Sequence, residues 1–142
     1  MHAYETTIRL RHTDAAGVMF FARLFELAHR AFEDLLDHVE HPLPEDLAGA
    51  DVAYPIVHAS ADYRQPLRLG NRVRVDVDVL EVRDRSFRLG YRFTLADGRE
   101  AATATTVHAA VGRGVREKAT LPDALVASLR ALKGGGSEPA QP

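Results

Sequence analysis

The stretch from Phe20 to about His38 constrains the fold more than any other. Phe21, Leu24, Phe25, Ala28, Phe32, Leu35 and Leu36 recur at three- and four-residue spacing, while Glu26, Arg30, Glu33 and Asp37 fall mostly on the other side. This spacing predicts one long helix with a continuous apolar face, which must be buried against a second layer. The rest of the chain supplies strands for that layer. Val73, Val75, Val77 and Val79 alternate with Arg72, Arg74, Asp76 and Asp78, and Phe87, Leu89, Tyr91, Phe93 and Leu95 alternate with Arg88, Gly90, Arg92 and Thr94. Both read as half-buried strands whose charged residues face solvent. Tyr4–Leu10, Ala53–Tyr63 and Glu100–Gly112 read as three more, with Asp97-Gly98 as a hairpin turn and His41–Asp51 as a loop. Pro122 opens a short helix over Asp123–Leu132. The order is strand, long helix, four strands, short helix. Consecutive strands joined by short turns predict an antiparallel sheet curved around the helix, an α+β fold. Residues 1–133 form the predicted domain, and the Gly-, Ser- and Pro-containing segment 134–142 a flexible tail.

Length and composition narrow the function. The chain has 142 residues, 46% hydrophobic, enough for one core. A net charge of −2 gives no electrostatic reason to expect nucleic acid or a membrane surface as partner. The absence of cysteine excludes disulfides, thiol catalysis and cysteine metal sites. The opening MHAYETTIRL lacks the pattern of a signal peptide, and no apolar run approaches the length of a membrane span. The expected location is the cytoplasm.

Several polar residues are candidates for chemistry. Asp14 stands in "HTDAAGV", just before the helix. It is either a helix cap or a carboxylate facing the helix's free N–H groups across a gap; its six-residue separation from Phe20 weakens the cap. The seven histidines show no metal spacing, so no metal is expected. His12 reads as a surface residue, and His58 as a core histidine or, as the lesser alternative, a donor facing a pocket. Arg83, Arg85 and Arg88 surround a turn with Asp84 and Ser86, either a solvated hairpin or a phosphate clamp. No G-x-S-x-G or phosphate-binding glycine loop is present.

"HTDAAGVMFFARLFELAHRAFEDLL" resembles the motif that leads into the long helix of hotdog-fold acyl-CoA thioesterases of the 4-hydroxybenzoyl-CoA thioesterase class. "YPIVHASADYRQPLRLGN" is similar to the following strand and turn, above all in the 1,4-dihydroxy-2-naphthoyl-CoA thioesterases of quinone biosynthesis, and "EVRDRSF" resembles the turn that meets the coenzyme A nucleotide. The resemblance runs from about Tyr4 to Val111. It implies a hotdog fold, with about five strands around one helix. It also implies hydrolysis of an acyl-CoA, most naturally 1,4-dihydroxy-2-naphthoyl-CoA in menaquinone or phylloquinone biosynthesis. The alternatives are 4-hydroxybenzoyl, aliphatic or carrier-protein thioesters, or binding without catalysis. By the same resemblance Asp14 is the catalytic carboxylate, His12 replaces the motif's first acid, and the Phe21 backbone N–H holds the thioester oxygen. Gly17, Val18, Phe20, Phe25 and His58 are implied to contact substrate, and Arg83, Arg85 and Ser86 coenzyme A. No cofactor is implied beyond the coenzyme of the substrate. The implied assembly is a homodimer, often paired into tetramers, with sites at the subunit boundary.

Overall fold

A computed structural model describes residues 1–19, 21–42, 52–112 and 117–133. Its elements are β1 (His2–Thr7), α1 (Leu24–His38), β2 (Ile56–Tyr63), β3 (Arg72–Val82), β4 (Ser86–Leu95), β5 (Glu100–Ala109) and α2 (Asp123–Leu132), with short 3-10 turns at Leu10–His12 and Phe21–Arg23. The α+β expectation holds: an antiparallel sheet accompanies one long amphipathic helix. Ile8 and Leu10 leave the first strand early, and the loop ahead of α1 contains a 3-10 turn. The long helix starts at Leu24 rather than Phe20, because Phe21–Arg23 winds more tightly. The expected tail, and residues 43–51 of the expected loop, lie outside the described residues.

The sheet order is β1-β3-β4-β5-β2. Hairpins join β3 to β4 and β4 to β5, as expected, and Gly98 takes the positive φ of 91° that the second turn needs. β2 does not pair with the strand that follows it in the chain. Instead β2 pairs with β5 (Ser60 opposite Thr105), and β1 takes the free side of β3 (Tyr4 opposite Val75). The segment between β2 and β3 therefore crosses the end of the sheet. Arg64 and Gln65 N–H donate to Ala101 O, Leu69 N–H to Gly17 O, and Gly70 N–H to Ile8 O. This crossing ties the loop ahead of α1 to one end of the sheet.

The apolar face of α1, from Leu24 through Leu27, Ala31, Phe32 and Leu35 to Leu36, is buried with Val73, Val75, Val77, Phe87, Leu89 and Phe93, and α2 adds Leu125 and Leu129. Asp76 and Asp78 are not solvent-facing as the alternation predicts: they are 9% and 5% exposed. β3 lies between β1 and β4, and Arg74 Nε bonds Asp76 Oδ1 at 2.8 Å, which covers the carboxylate. A strand pattern reports which side chains alternate, but it does not report what their neighbours shelter.

A buried polar chain crosses the core. His108 Nδ1 lies 3.0 Å from the Tyr54 carbonyl, which only accepts, so Nδ1 carries the proton. Nε2 then accepts from Thr106 Oγ1 at 3.0 Å, and Thr106 accepts from the Tyr91 hydroxyl at 2.9 Å. The ring stacks between Phe32 and Phe87, with centroids 4.2 and 5.0 Å away. Burial, with a smaller push from His29, lowers the His108 pKa from 6.5 to about 4 against the raising effect of the Tyr54 bond. Protonation then favours the unfolded chain. Stability is full above pH 6.5 and falls as pH drops from 6.5 towards 4. In denaturant titrations across that window, His108→Gln should show a shallower pH slope than wild type; equal slopes would assign the acid sensitivity elsewhere.

Candidate active site

The loop between the first 3-10 turn and α1 folds back on itself. Thr13 bridges Met19, Asp14 N–H donates to Val18 O at 2.9 Å, and Gly17 N–H donates to Asp14 O at 3.0 Å. Gly17 has a φ of 76°, which residues with a Cβ rarely adopt, so glycine suits the tip of this fold-back. Val18 also bridges Arg68, where the crossing segment passes.

Asp14 is exposed and caps no helix. The N-cap position of α1 is Arg23, with no side-chain cap bond. Asp14 Oδ1 instead accepts the N–H groups of Ala16 at 2.8 Å and Val18 at 3.4 Å. Two backbone donors thus fix one carboxylate oxygen, and Oδ2 takes no hydrogen bond among the described residues. The carboxylate is oriented by its own loop, with one oxygen left for another molecule.

Opposite Asp14, Val18 lines a mostly apolar cleft of about 330 Å³ with Met19, Phe21, Tyr63, Pro66 and Leu67. Phe21 is 64% exposed there, at the start of the 3-10 turn that leads into α1. The Tyr63 hydroxyl donates to the Phe21 carbonyl, which clamps the end of β2 to the approach of α1. Partial burial raises the Tyr63 pKa, so the hydroxyl remains a donor. Tyr63 was not singled out from the sequence. Its one signal was its place at a strand end just before Gln65-Pro66.

The other expected site residues are more scattered. Phe25 is half-buried against the core and does not line this cleft, and Phe20 lies outside the described residues. His58 is exposed, contrary to its reading as a core residue, because β2 is an edge strand. His12 is the reverse case, buried at 2% exposure rather than on the surface. Its Nδ1 accepts the Arg9 N–H at 2.9 Å, which leaves the proton on Nε2, 3.9 Å from Glu26 Oε2. Burial first, then Arg11, holds its pKa below the usual histidine value, so it is a neutral brace for the loop carrying Asp14.

Arg83, Arg85 and Ser86 sit together in the turn joining β3 to β4, where Arg83 N–H donates to Ser86 O at 2.8 Å. Arg83 is engaged with Glu81 at 2.6 Å, whereas Arg85 is exposed and takes no acidic partner among the described residues. This turn is at the far end of the sheet from Asp14. At roughly 3.3 Å per residue, the length of β3 puts about 30 Å between its ends. A single chain therefore does not bring the carboxylate and these arginines together. No group of three or more histidine, aspartate or glutamate side chains among the described residues is arranged to hold a metal.

A curved antiparallel sheet around one helix, with an oriented acid beside the approach to that helix, defines the hotdog class of protein. The profile of the Thioesterase-like superfamily matches residues 8–129, and the chain belongs to that family. It is 34% identical over 135 residues to a 1,4-dihydroxy-2-naphthoyl-CoA hydrolase of Rippkaea orientalis, an alignment that covers 94% of this chain and 98% of the relative. It is 33% identical over 123 residues to a 1,4-dihydroxy-2-naphthoyl-CoA hydrolase of Nostoc punctiforme, 87% and 82% of the two chains. The crystal structure of a 1,4-dihydroxy-2-naphthoyl-CoA thioesterase from Synechocystis superposes with a TM-score of 0.85 at 30% identity, over 92% of this chain and 96% of that one.

Proposed function

We propose that this chain is an acyl-CoA thioesterase that hydrolyses an aromatic acyl-CoA, with 1,4-dihydroxy-2-naphthoyl-CoA as its substrate. The observation that carries this reading is the Asp14 carboxylate, fixed by two backbone N–H groups beside an apolar cleft at the approach to α1, in a chain of this family. In the proposed reaction, the thioester carbonyl oxygen lies against the Phe21 amide, where a backbone donor stabilises the developing oxyanion; such donors contribute about 3–4 kcal/mol. Asp14 Oδ2 attacks the carbonyl carbon or takes a proton from an attacking water. The C–S bond breaks and coenzyme A leaves as thiolate. Thiols ionise near pH 8.5, so the leaving group needs little acid assistance. Where Asp14 has attacked, water then cleaves the resulting Asp14–acyl anhydride and restores the carboxylate; on either route the thiolate takes up a proton and the products are the free acid and coenzyme A.

A second copy of the chain completes the site. β2 is an edge strand whose first five residues are all exposed, among them Ile56 and Val57, and unpaired strand edges of this kind favour strand addition. Antiparallel pairing of β2 with the same strand of a second copy reverses the sheet. The second copy's Arg83–Ser86 turn then comes to the same end as Asp14, where arginine forks suit coenzyme phosphates. The proposed enzyme is thus a cytoplasmic homodimer, able to pair into tetramers, that acts in menaquinone or phylloquinone biosynthesis.

A panel of acyl-CoAs with a thiol reagent tests the reading: naphthoyl and hydroxybenzoyl esters should release coenzyme A faster than aliphatic ones, and no release from any of them would overturn it. Arg85→Ala should raise KM for coenzyme A esters and leave short synthetic thioesters untouched. An equal effect on both would remove the phosphate role.

A further inference from the structure

Two buried polar atoms face each other near Asp14, and neither makes a hydrogen bond among the described residues: Nε2 of His12 and Oε2 of Glu26, 3.9 Å apart. His12 closes the 3-10 turn that precedes Asp14, and Glu26 lies in the first turn of α1. Unpaired buried groups are costly and uncommon, and here each has the other as its partner at hand. The two atoms also match in chemistry. His12 Nδ1 accepts the Arg9 N–H at 2.9 Å, so the ring proton sits on Nε2 and is offered to a carboxylate. Arg23 holds the other oxygen of Glu26 at 3.3 Å, which leaves Oε2 for the ring. Their separation exceeds an ordinary N–H···O bond by about 1 Å.

This contact joins two parts of the site. The outgoing side of the Asp14 fold-back is pinned to the crossing segment: Met19 N–H donates to Leu67 O at 2.6 Å, and Val18 bridges Arg68. The incoming side bonds within its own turn, His12 N–H to Arg9 O and Thr13 N–H to Leu10 O. His12 carries that side across to α1. Asp14 follows His12 in the loop, and the Phe21 amide, the proposed donor to the thioester oxygen, precedes Glu26 by little more than one turn. The contact therefore spans the gap between the group that acts on the carbonyl carbon and the group that holds the carbonyl oxygen. A misplacement of about 1 Å in such geometry can lower a rate about 100-fold.

We propose that His12 and Glu26 are positioning residues that tether the loop carrying Asp14 to the first turn of α1 and set the distance between the acid and the Phe21 amide. His12 is buried and acts through Asp14 rather than on the substrate. The inference rests on the thioesterase reading of Asp14 and adds to it what holds the acid in register with the helix.

Steady-state kinetics on 1,4-dihydroxy-2-naphthoyl-CoA test the tether. His12→Asn keeps an oxygen for the Arg9 N–H and loses the arm that reaches Glu26. It should lower kcat about ten-fold and leave KM within about two-fold. Glu26→Ala should do the same, and its side chain, 40% exposed on α1, keeps the test open where His12→Asn does not fold. Unchanged kcat in Glu26→Ala, or a loss confined to KM, would overturn the inference. The double variant should fall no further than about ten-fold, because the second change removes a contact already lost; a fall of about 100-fold would make the two residues independent. Glu26→Gln retains an oxygen for the Nε2 proton and should recover about half of wild-type kcat or more; a loss equal to that of Glu26→Ala counts against the tether. Amide exchange separates the tether from the thioesterase reading. Exchange at Ala16 and Val18, whose N–H groups hold Asp14 Oδ1, should quicken about ten-fold in His12→Asn and Glu26→Ala but not in Glu26→Gln. That pattern supports the tether even where wild type hydrolyses no acyl-CoA, a result that sinks the thioesterase reading alone. Equal exchange in wild type and all variants refutes the tether even where hydrolysis is normal.

Discussion

Asp14→Asn should lower turnover of acyl-CoA by about 10²–10⁴-fold, the range spanned when a positioned acid–base group is lost. The substitution isolates charge from structure. Asparagine keeps a side-chain oxygen to accept the Ala16 and Val18 N–H groups, so the fold-back from Thr13 to Met19 stays intact. It lacks the second carboxylate oxygen, the one with no hydrogen bond among the described residues. Stability should therefore change by no more than about 0.5 kcal/mol, as for most surface substitutions. Steady-state kinetics and a denaturant titration on the same preparation decide between the two roles. Intact turnover with lowered stability would make Asp14 a structural residue of its loop.

The largest expected loss of stability comes from Phe87→Ala, about 3–5 kcal/mol. Phe87 is 1% exposed and lies within ring-contact range of His108, Phe32 and Tyr54. Removing it opens a void among rigid stacked rings that cannot close without tilting His108 off the Tyr54 carbonyl. The transition midpoint in denaturant should fall with little change in slope, the sign of lost stability rather than a changed denatured state. Phe21→Ala is the control: at 64% exposure its ring contributes little burial, and a loss close to that of Phe87→Ala would mean that exposure does not govern cost here.

The residues that announced themselves in the sequence did so through periodicity. The three- and four-residue spacing from Leu24 to Leu36 and the alternation from Phe87 to Leu95 each report a single face of a single element, and both elements formed as expected. The partner of β2 was not legible in this way. The short stretch between β2 and β3 reads as a turn, yet it crosses the sheet, because Ile8, Gly17 and Met19 offer it backbone partners from a distant part of the chain. The errors at His12, His58, Asp76 and Asp78 share that origin, since each concerns what neighbouring elements cover. Asp14 could be picked out by its residue type and place before the helix. That it bonds its own loop rather than a helix end needed the fold-back that Gly17 permits.

The strand order also fixes when the site can come into being. Strands β3, β4 and β5 join through adjacent turns and can zip up locally. Pairing His2 with Val77, or Tyr63 with Ala102, must wait for much longer stretches of chain to close. Such distant closures are the slow events of folding. The edge that would meet a second copy, and the crossing that seats the acid, belong to these late steps. In pulse-labelled hydrogen exchange, amides of the central meander should gain protection before those of the outer strands. A newly made chain would pass through a stage with a formed centre and no working chemistry.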